Sequence, residues 1–238
     1  SGWAAQVQPS YAPKLNVRGV AVGGFATNLA EAVQNINGGF GAGLIASVLD
    51  GVARTVPALA AAINTYVTPA GKAILAKGVS QCELANVTQY AFMNLNNYLT
   101  IPLTQLLALP AIKNALNGIG LGGTAPTAPM FVYHSVDDEL IPVAGPDATV
   151  AKYCAAGDSV TYTRDILSEH VSLAFIGAPQ ALSWLTQRLT GGAVPHGCHT
   201  TTVLTMLLNP TTLTGGAKLL LADAGALLDQ PIGPAGIF

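Results

Sequence analysis

An aspartate and a histidine, each following a short strand-like segment, are the residues best placed to do chemistry. The apolar run at residues 130–133 ends in the polar stretch HSVDDE, which contains Asp137 and Asp138. The alternating segment at residues 159–164 leads to a Ser-Glu-His tripeptide ending at His170, 32 residues after Asp138. A carboxylate that fixes the tautomer of an imidazole makes it a general base for a hydroxyl nucleophile. The pattern therefore predicts two members of a nucleophilic catalytic site.

The elements that would position these residues are those of a parallel α/β sheet. Residues 15–22, 130–133 and 159–164 have the length and composition of buried strands, and residues 146–153 have helical composition. Sites of α/β proteins lie at the carboxyl ends of parallel strands. An acid after one strand and a histidine after the next match the last part of an α/β-hydrolase fold. We therefore predict about three parallel strands with one open edge.

The nucleophile of such a fold is not found in the chain. No serine has glycine both two residues before and two residues after it, so the G-x-S-x-G elbow is absent. Residues 1–8 have helical composition, with a stop expected near Pro9, and the strand at residues 15–22 ends in a glycine pair. A helix followed by a strand is the order expected directly after an elbow. We therefore expect the serine to lie before residue 1.

The chain divides by composition into four expected parts. Residues 1–24 and 125–198 would form the core. Residues 25–124 are rich in Ala, Leu and Asn with helical periodicity, which predicts a helical cap or lid, or a helical subdomain without a gating role. Residues 199–238 would form a C-terminal flap or tail. Within these parts we predict helices at residues 40–56, 57–67, 70–77, 82–99 and 102–117, and at 172–189 with a break at 177–179.

The overall composition limits the class of protein. Of the 238 residues 50% are hydrophobic and 9% are charged, and the mean hydropathy is +0.46. The apolar runs are broken by Pro, Asn, Thr or Gly before they reach the roughly 18 residues of a membrane span. This composition favours a large core together with an apolar face for substrate. The net charge of −2 and the lack of a basic run argue against nucleic acid as a partner.

The sequence resembles the secretory lipase family, of which Candida antarctica lipase A is typical, along essentially its whole length. The similarity is carried by YHSVDDELIPV, the SEH tripeptide, the opening SGWAA-x-x-QPSYAP, the strand end VGGF and the C-terminal PIGP. It implies a secreted, extracellular serine hydrolase of carboxylic esters, with long-chain acyl glycerides as substrates, acting at a lipid–water interface without a cofactor or metal. It implies Asp138 as the acid, His170 as the base, and a serine just upstream of Ser1.

Several neighbouring residues keep alternative roles. Asp137 is the rival acid, since only the family motif, and not the local pattern, favours Asp138. Glu139 and Glu169 could be solvated or could support the pair. His134, at the end of a strand, could line the site or make a structural hydrogen bond.

The three cysteines are assigned through the resemblance. It implies a disulfide between Cys154 and Cys198, where the alternative is two buried thiols. Cys82 is then left over, and the missing N-terminal half of the protein is its expected partner. His196 and His199 bracket Cys198, but this cluster lacks a fourth ligand at the usual spacing for zinc.

Two further expectations concern modification and activity. An N-V-T sequon at Asn86 predicts a glycoprotein, although such triplets also arise by chance. Because the nucleophile is absent, the chain alone is expected to be inactive, and its missing half is a predicted partner. The alternative function is a non-catalytic lipid-binding or pseudoenzyme fragment.

Overall fold

A computed structural model of the chain describes residues 1–194 and 196–215. The strands are β1 (Val20–Gly23), β2 (Met130–Ser135), β3 (Val160–Asp165) and β4 (Cys198–Val203). The α-helices that lie wholly in the described part are α1 (Gly2–Tyr11), α2 (Leu29–Ile36), α3 (Leu44–Ala53), α4 (Pro57–Tyr66), α5 (Pro69–Gly78), α6 (Glu83–Gln89), α7 (Leu103–Ala108), α8 (Pro110–Gly118), α9 (Ala144–Ala155) and α10 (His170–Leu189). None of them is long and apolar enough to cross a membrane.

The four strands form one parallel sheet in the order β1-β2-β3-β4. All six residues of β2 are buried, as expected for an apolar central strand covered on both faces. The register pairs Val20 with Met130, Met130 with Val160, and Val160 with Cys198. The predicted α/β class with parallel strands is confirmed, and the acid-bearing and histidine-bearing segments follow neighbouring strands.

Two details of the sheet differ from the prediction. The first strand begins at Val20 rather than at residue 15, because Leu15 is largely exposed and the backbone there makes no strand pairing. The strand at residues 198–203 was missed. Its sequence, CHTTTV, is polar and its first five residues are exposed, so this edge strand has no hydrophobic signal. Most of the expected tail, residues 216–238 including the PIGP motif, lies outside the described residues.

Helix α10 packs on β1 and β2 through an unusually close contact. The Tyr133 ring lies against Gly23 of β1 and Gly177 of α10, and a Cβ at either glycine would overlap the ring. Phe131 stacks on Trp184 with ring centroids 6.1 Å apart. The predicted break of this helix at residues 177–179 is wrong, because α10 runs continuously through Pro179. Gly177 serves the approach of the helix to the sheet and not its interruption.

An apolar cluster joins the strands to α9 and to the segment after β1. It contains Val22, Phe25, Met130, Val132, Val150, Tyr153, Val160 and Tyr162. Helix α1 is tied to this cluster by Gln6, whose Oε1 accepts hydrogen bonds from the Tyr153 hydroxyl at 3.2 Å and from Gly122 N at 2.8 Å. Like α10, α1 continues through a proline, Pro9, where the sequence predicted a stop.

The chain separates into two compact units. The first unit contains the sheet described above. The other comprises Asn28–Gly120 and Glu139–Ile141 and contains helices α2 to α8. Its buried side chains form two clusters, one of Val33, Ile36, Ile45, Leu95 and Leu103 and one of Val56, Leu59, Ala62, Leu106 and Ile112. Leu140 packs against the first cluster, and Asn35 Nδ2 donates to Glu139 O at 2.7 Å. An apolar cavity of about 70 Å³ lies among these helices.

The predicted helices of this second unit are shorter than expected. The segment at 40–56 begins with a 3₁₀ turn, Phe40–Gly43, before α3. The segment at 82–99 is divided into α6 and a second 3₁₀ turn, Leu95–Tyr98, because Phe92 has a positive φ of 60°. The segment at 102–117 is divided at the boundary between α7 and α8. Apolar periodicity continues across all these breaks, so it did not reveal them.

The structure buries Asn86, the residue that the sequence predicted as a glycan acceptor. Asn86 lies in α6 and is fully buried. Its Nδ2 donates to Gly78 O at 2.9 Å and its Oδ1 accepts from Gln81 Nε2 at 2.8 Å. A glycan attached to Nδ2 would have to start from a fully buried atom and would compete with the hydrogen bond to Gly78 O. Asn86 therefore joins α5 to α6 through its side chain, and this packing argues against its use as a glycan acceptor.

The structure contains the disulfide that the family resemblance implied. Cys154 at the end of α9 is bonded to Cys198 at the start of β4, and their Cα atoms are 5.8 Å apart. Cys82, the third cysteine, is exposed and unbonded within the chain, as expected. The bond holds the otherwise polar edge strand β4 to a helix of the core.

We expect the Cys154→Ser, Cys198→Ser double variant to lose about 3–4 kcal/mol of unfolding free energy, from the entropy of a closed loop of this length. Denaturant unfolding monitored by circular dichroism would measure the loss. Cys82→Ser is the matched control and should leave the midpoint nearly unchanged. An equal loss in the control would mean that the loop closure does not stabilise the fold.

Candidate active site

Asp138 and His170 are brought together at the carboxyl ends of neighbouring parallel strands. Asp138 follows β2, and His170 is the first residue of α10, which begins shortly after β3. His170 Nδ1 lies 2.8 Å from Asp138 Oδ2. The Asp138 side chain is fully buried, whereas 28% of the His170 side chain is exposed. A buried carboxylate that faces one ring nitrogen of a partly exposed histidine can fix its tautomer and stabilise its charged form.

The two neighbouring acids differ in burial. Asp138 is buried and faces His170, whereas its neighbour Asp137 is exposed. This pairing is the one favoured by the family motif. Its catalytic role remains a proposal.

His134 is a second histidine that lies close to the Asp138 carboxylate. Its side chain is fully buried, its Nδ1 accepts a hydrogen bond from Phe25 N at 3.1 Å, and its Nε2 is 3.5 Å from Asp138 Oδ2. The sequence left open whether this histidine lines the site or makes a structural bond. It does make a structural bond, and it also contacts the acid. Asp138 Oδ2 is therefore within 3.5 Å of a ring nitrogen of each of two imidazoles.

The turn that carries His170 is built on a buried aspartate that the sequence analysis did not single out. Asp165, the last residue of β3, is fully buried, and its Oδ1 accepts from Leu167 N at 3.0 Å and Ser168 N at 2.9 Å. Its Oδ2 accepts from Met206 N. Ser135 Oγ donates to Ser168 O from β2. The sequence offered one indication of this role. Asp165 is an acid at the end of a strand, and the side chain of such a residue often accepts hydrogen bonds from backbone N–H groups two or three residues later.

Glu169 caps the helix that begins with His170. Its carboxylate accepts from Val171 N and Ser172 N, both at 2.7 Å, while Glu169 N donates to Ser172 Oγ, which completes a capping box. Partial burial opposes ionisation, but these hydrogen bonds and the nearby His170 outweigh it and lower the pKa of Glu169. Glu169 therefore supports the pair by fixing the first turn of α10.

Gly24 forms one wall against the His170 ring. Its φ is +56°, in the left-handed region that favours glycine, and a Cβ added there would lie 2.9 Å from His170 Cε1. Because Gly24 has no side chain, its backbone can lie directly against the imidazole. A side chain at this position would push the ring away from its place beside Asp138.

If His170 is the base that the family resemblance implies, Gly24→Ala should lower catalytic turnover by on the order of 10²-fold, because small displacements of a catalytic group have costs of this size. Steady-state kinetics of ester hydrolysis in the complete protein would measure it. Gly191→Ala is the matched control, since Gly191 has a φ of +82° and nothing within 4 Å of an added Cβ. If both variants lose activity equally, backbone strain and not contact with His170 is responsible.

His196, His199 and Cys198 do not form a metal site with a cysteine thiolate ligand. Cys198 is bonded to Cys154, so its sulfur cannot bind a metal as a thiolate. His199 Nε2 instead contacts His196 O at 3.1 Å, and both histidines are exposed. The zinc alternative considered for this cluster therefore lacks its thiolate ligand.

The chain is similar in sequence to a family of lipases. A model of the family described as secretory lipase matches residues 1–197. Lipase A of Arthroderma benhamiae is 33% identical over 235 residues, which cover 98% of this chain and 50% of that protein. Lipase 2 of Candida albicans is 34% identical over 252 residues, covering 98% of this chain and 52% of the relative. The protein named probable inactive lipase MT1628, of Mycobacterium tuberculosis, is 34% identical over 232 residues, with coverages of 98% and 52%.

The fold is also that of a solved lipase structure. The X-ray structure of Candida antarctica lipase A in its closed state superposes with a TM-score of 0.78 at 23% identity, covering 87% of this chain and 50% of that one. The chain thus spans about half the length of the curated relatives it matches. Since the family model extends over more than four-fifths of its residues, this chain belongs to the secretory lipase family.

Proposed function

We propose that this chain carries the acid and the base of a secreted serine hydrolase of carboxylic esters, with long-chain acyl glycerides as substrates. The observation that carries the proposal is the 2.8 Å contact between His170 Nδ1 and the buried Asp138 Oδ2. Family membership and the order of acid before histidine support it. The serine and the groups that stabilise the oxyanion would come from residues outside this chain, consistent with the half-length match to the relatives.

In the proposed mechanism His170 moves protons through the nitrogen opposite Asp138. Nε2 takes the proton of the serine hydroxyl as the oxygen attacks the ester carbonyl, and then delivers it to the leaving alcohol. The same nitrogen later takes a proton from the water that attacks the acyl-enzyme and returns it to the serine oxygen as the carboxylic acid leaves. Asp138 keeps the Nδ1–H tautomer in place and stabilises the imidazolium formed in each step.

The helical unit supports the assignment of an acyl substrate. Its cavity of about 70 Å³ is lined almost wholly by aliphatic side chains, among them Val33, Ile45, Leu59, Ile74 and Leu106. Such a lining favours a hydrocarbon chain over polar ligands. A cap or lid function for this unit stays a prediction. The disulfide supports an oxidising compartment, in agreement with secretion.

Covalent labelling tests the proposal. We expect a fluorophosphonate to label a serine of the complete protein, meaning this chain together with the serine-bearing part, and to block hydrolysis of a long-chain p-nitrophenyl ester. The labelled peptide, identified by mass spectrometry, should lie outside this chain. A complete, folded protein that is neither labelled nor hydrolytic would contradict the proposal.

The second candidate is a non-catalytic lipid-binding protein. It is favoured by one observation, the similarity to a relative whose name describes it as a probable inactive lipase. The same preparation distinguishes the two functions. Saturable binding of a fluorescent fatty acid, without labelling and without hydrolysis, would support the binding protein, whereas labelling would exclude it.

A further inference from the structure

His134 is a buried histidine that the proposed mechanism does not use. It lies in β2 next to the buried Ser135, and none of its surface is exposed. Its two ring nitrogens have different partners. Nδ1 accepts from Phe25 N at 3.1 Å, and Nε2 lies 3.5 Å from Asp138 Oδ2. The ring therefore connects the backbone after β1 to the acid after β2.

These contacts determine the tautomer of the ring. A ring nitrogen that accepts a hydrogen bond carries no proton, so the neutral imidazole of His134 must have its proton on Nε2. A second proton on Nδ1 would set two donors, Nδ1–H and Phe25 N–H, against each other in a site without solvent. Because an unsatisfied buried donor costs about 1–3 kcal/mol, this arrangement opposes the charged form.

The proton on Nε2 faces the carboxylate oxygen that His170 also contacts. Asp138 Oδ2 is 2.8 Å from His170 Nδ1 and 3.5 Å from His134 Nε2. We propose that His134 is a positioning residue of this site, a neutral imidazole whose Nε2–H holds the Asp138 carboxylate toward His170. The role of Asp138 rests on the proposed function, whereas the tautomer of His134 does not.

The His134 ring contacts two segments that both lie next to the His170 imidazole. Phe25, whose N–H binds His134, directly follows Gly24, the residue that lies against the His170 ring. Asp138 also contacts His170, at Nδ1. A change at His134 should therefore affect the position of His170.

Two substitutions divide the functions of the two nitrogens. His134→Asn keeps an acceptor close to the backbone for Phe25 N–H but is too short to reach Asp138. His134→Gln can place an amide N–H where Nε2 was but gives up the acceptor for Phe25. If His134 only fills the core and accepts the hydrogen bond from Phe25 N–H, His134→Asn should disturb the His170 site less than His134→Gln. If it positions Asp138, His134→Gln should disturb the site less.

The first measurement needs no variant. In the chain labelled with ¹⁵N-histidine, two-dimensional ¹H–¹⁵N spectra report the protonation of each ring nitrogen. We expect His134 to show a protonated Nε2 and an unprotonated Nδ1 at all pH values between about 5 and 8, the range over which ordinary histidines titrate. A protonated Nδ1, or a charged ring within this range, would overturn the proposal.

The second measurement compares the variants. We expect the Nδ1–H resonance of His170 to keep its hydrogen-bonded position in His134→Gln and to lose it in His134→Asn. In the complete protein His134→Asn should lower kcat by on the order of 10-fold to 10²-fold with KM little changed, and His134→Gln should restore most of it. His199→Asn and His199→Gln are controls on an exposed histidine and should have no effect.

The outcomes separate this inference from the proposed function. If Asn and Gln behave alike, His134 is a packing residue and the positioning role is wrong. If the tautomer and the effect of Asn on His170 are as expected but the complete protein hydrolyses no ester, the proposed function fails while the structural role of His134 stands. If either variant fails to fold, the tautomer of His134 in the unmodified chain still tests the proposal, because a protonated Nδ1 would overturn it.

Discussion

His170→Ala should lower the kcat of ester hydrolysis by the complete protein by about 10⁴–10⁶-fold, the range found when the base of a serine hydrolase is removed. Without the imidazole the serine hydroxyl has no general base, and the leaving alcohol has no acid. Fluorophosphonate labelling should be lost in parallel, since it requires the same activated serine. Active-site titration and single-turnover kinetics would separate loss of chemistry from loss of binding.

The neighbouring acids provide the controls for this variant. Asp138→Asn should lower kcat by about 10⁴-fold, because an amide that donates to Nδ1 favours the wrong tautomer. Asp137→Asn, an exposed acid one residue away, should have little effect. Labelling that survives His170→Ala would remove His170 from the mechanism. A larger effect of Asp137→Asn than of Asp138→Asn would transfer the role of the acid to Asp137.

Asp165→Ala should lower the unfolding free energy by about 3–5 kcal/mol, because it leaves several buried backbone donors without an acceptor. The carboxylate receives N–H groups from Leu167, Ser168 and Met206, and no part of the residue is exposed. The loss should also release the turn before His170, so activity should fall more than the fraction of folded protein. Denaturant unfolding and kcat, measured on the same samples, would test both expectations.

A graded variant makes this prediction specific. Asp165→Asn can keep one oxygen for Leu167 N and Ser168 N but turns an amide donor toward Met206 N, so its loss should be intermediate. Asp137→Ala removes an exposed carboxylate and should change stability by less than about 0.5 kcal/mol. If Asp165→Ala is as stable as the unmodified protein, the buried carboxylate does not organise the turn.

The local features of the site could be predicted because they rest on short-range patterns. The apolar run of β2 followed by HSVDDE indicated a buried parallel strand with polar residues at its carboxyl end, and the Ser-Glu-His tripeptide opens α10 as expected. The family motifs favoured Asp138 over Asp137, and they paired Cys154 with Cys198, which are bonded in the structure. Each of these inferences depends on residues adjacent in sequence or on a recognised motif.

Other features were wrong or missed because they depend on contacts between distant parts of the chain. Asn86 looked like a glycan acceptor until its side chain was found buried against Gly78 O. Strand β4 carries no apolar pattern, since it forms an edge of the sheet beside β3. Pro179 suggested a break in a helix that in fact continues over the sheet.

The sequence by itself determined which residues could form an acid–base pair and on which kind of fold they would lie, because strand composition and polar strand ends are local properties. Only the tertiary structure decided that His134 shares the carboxylate of Asp138 with His170, and that Asp165 ties the turn before His170 to Met206. These interactions join residues brought together by parallel strands, whose carboxyl ends meet in space although long crossovers separate them in sequence. A buried polar side chain must find its partners among such neighbours, and their identity is not set until the strands are paired.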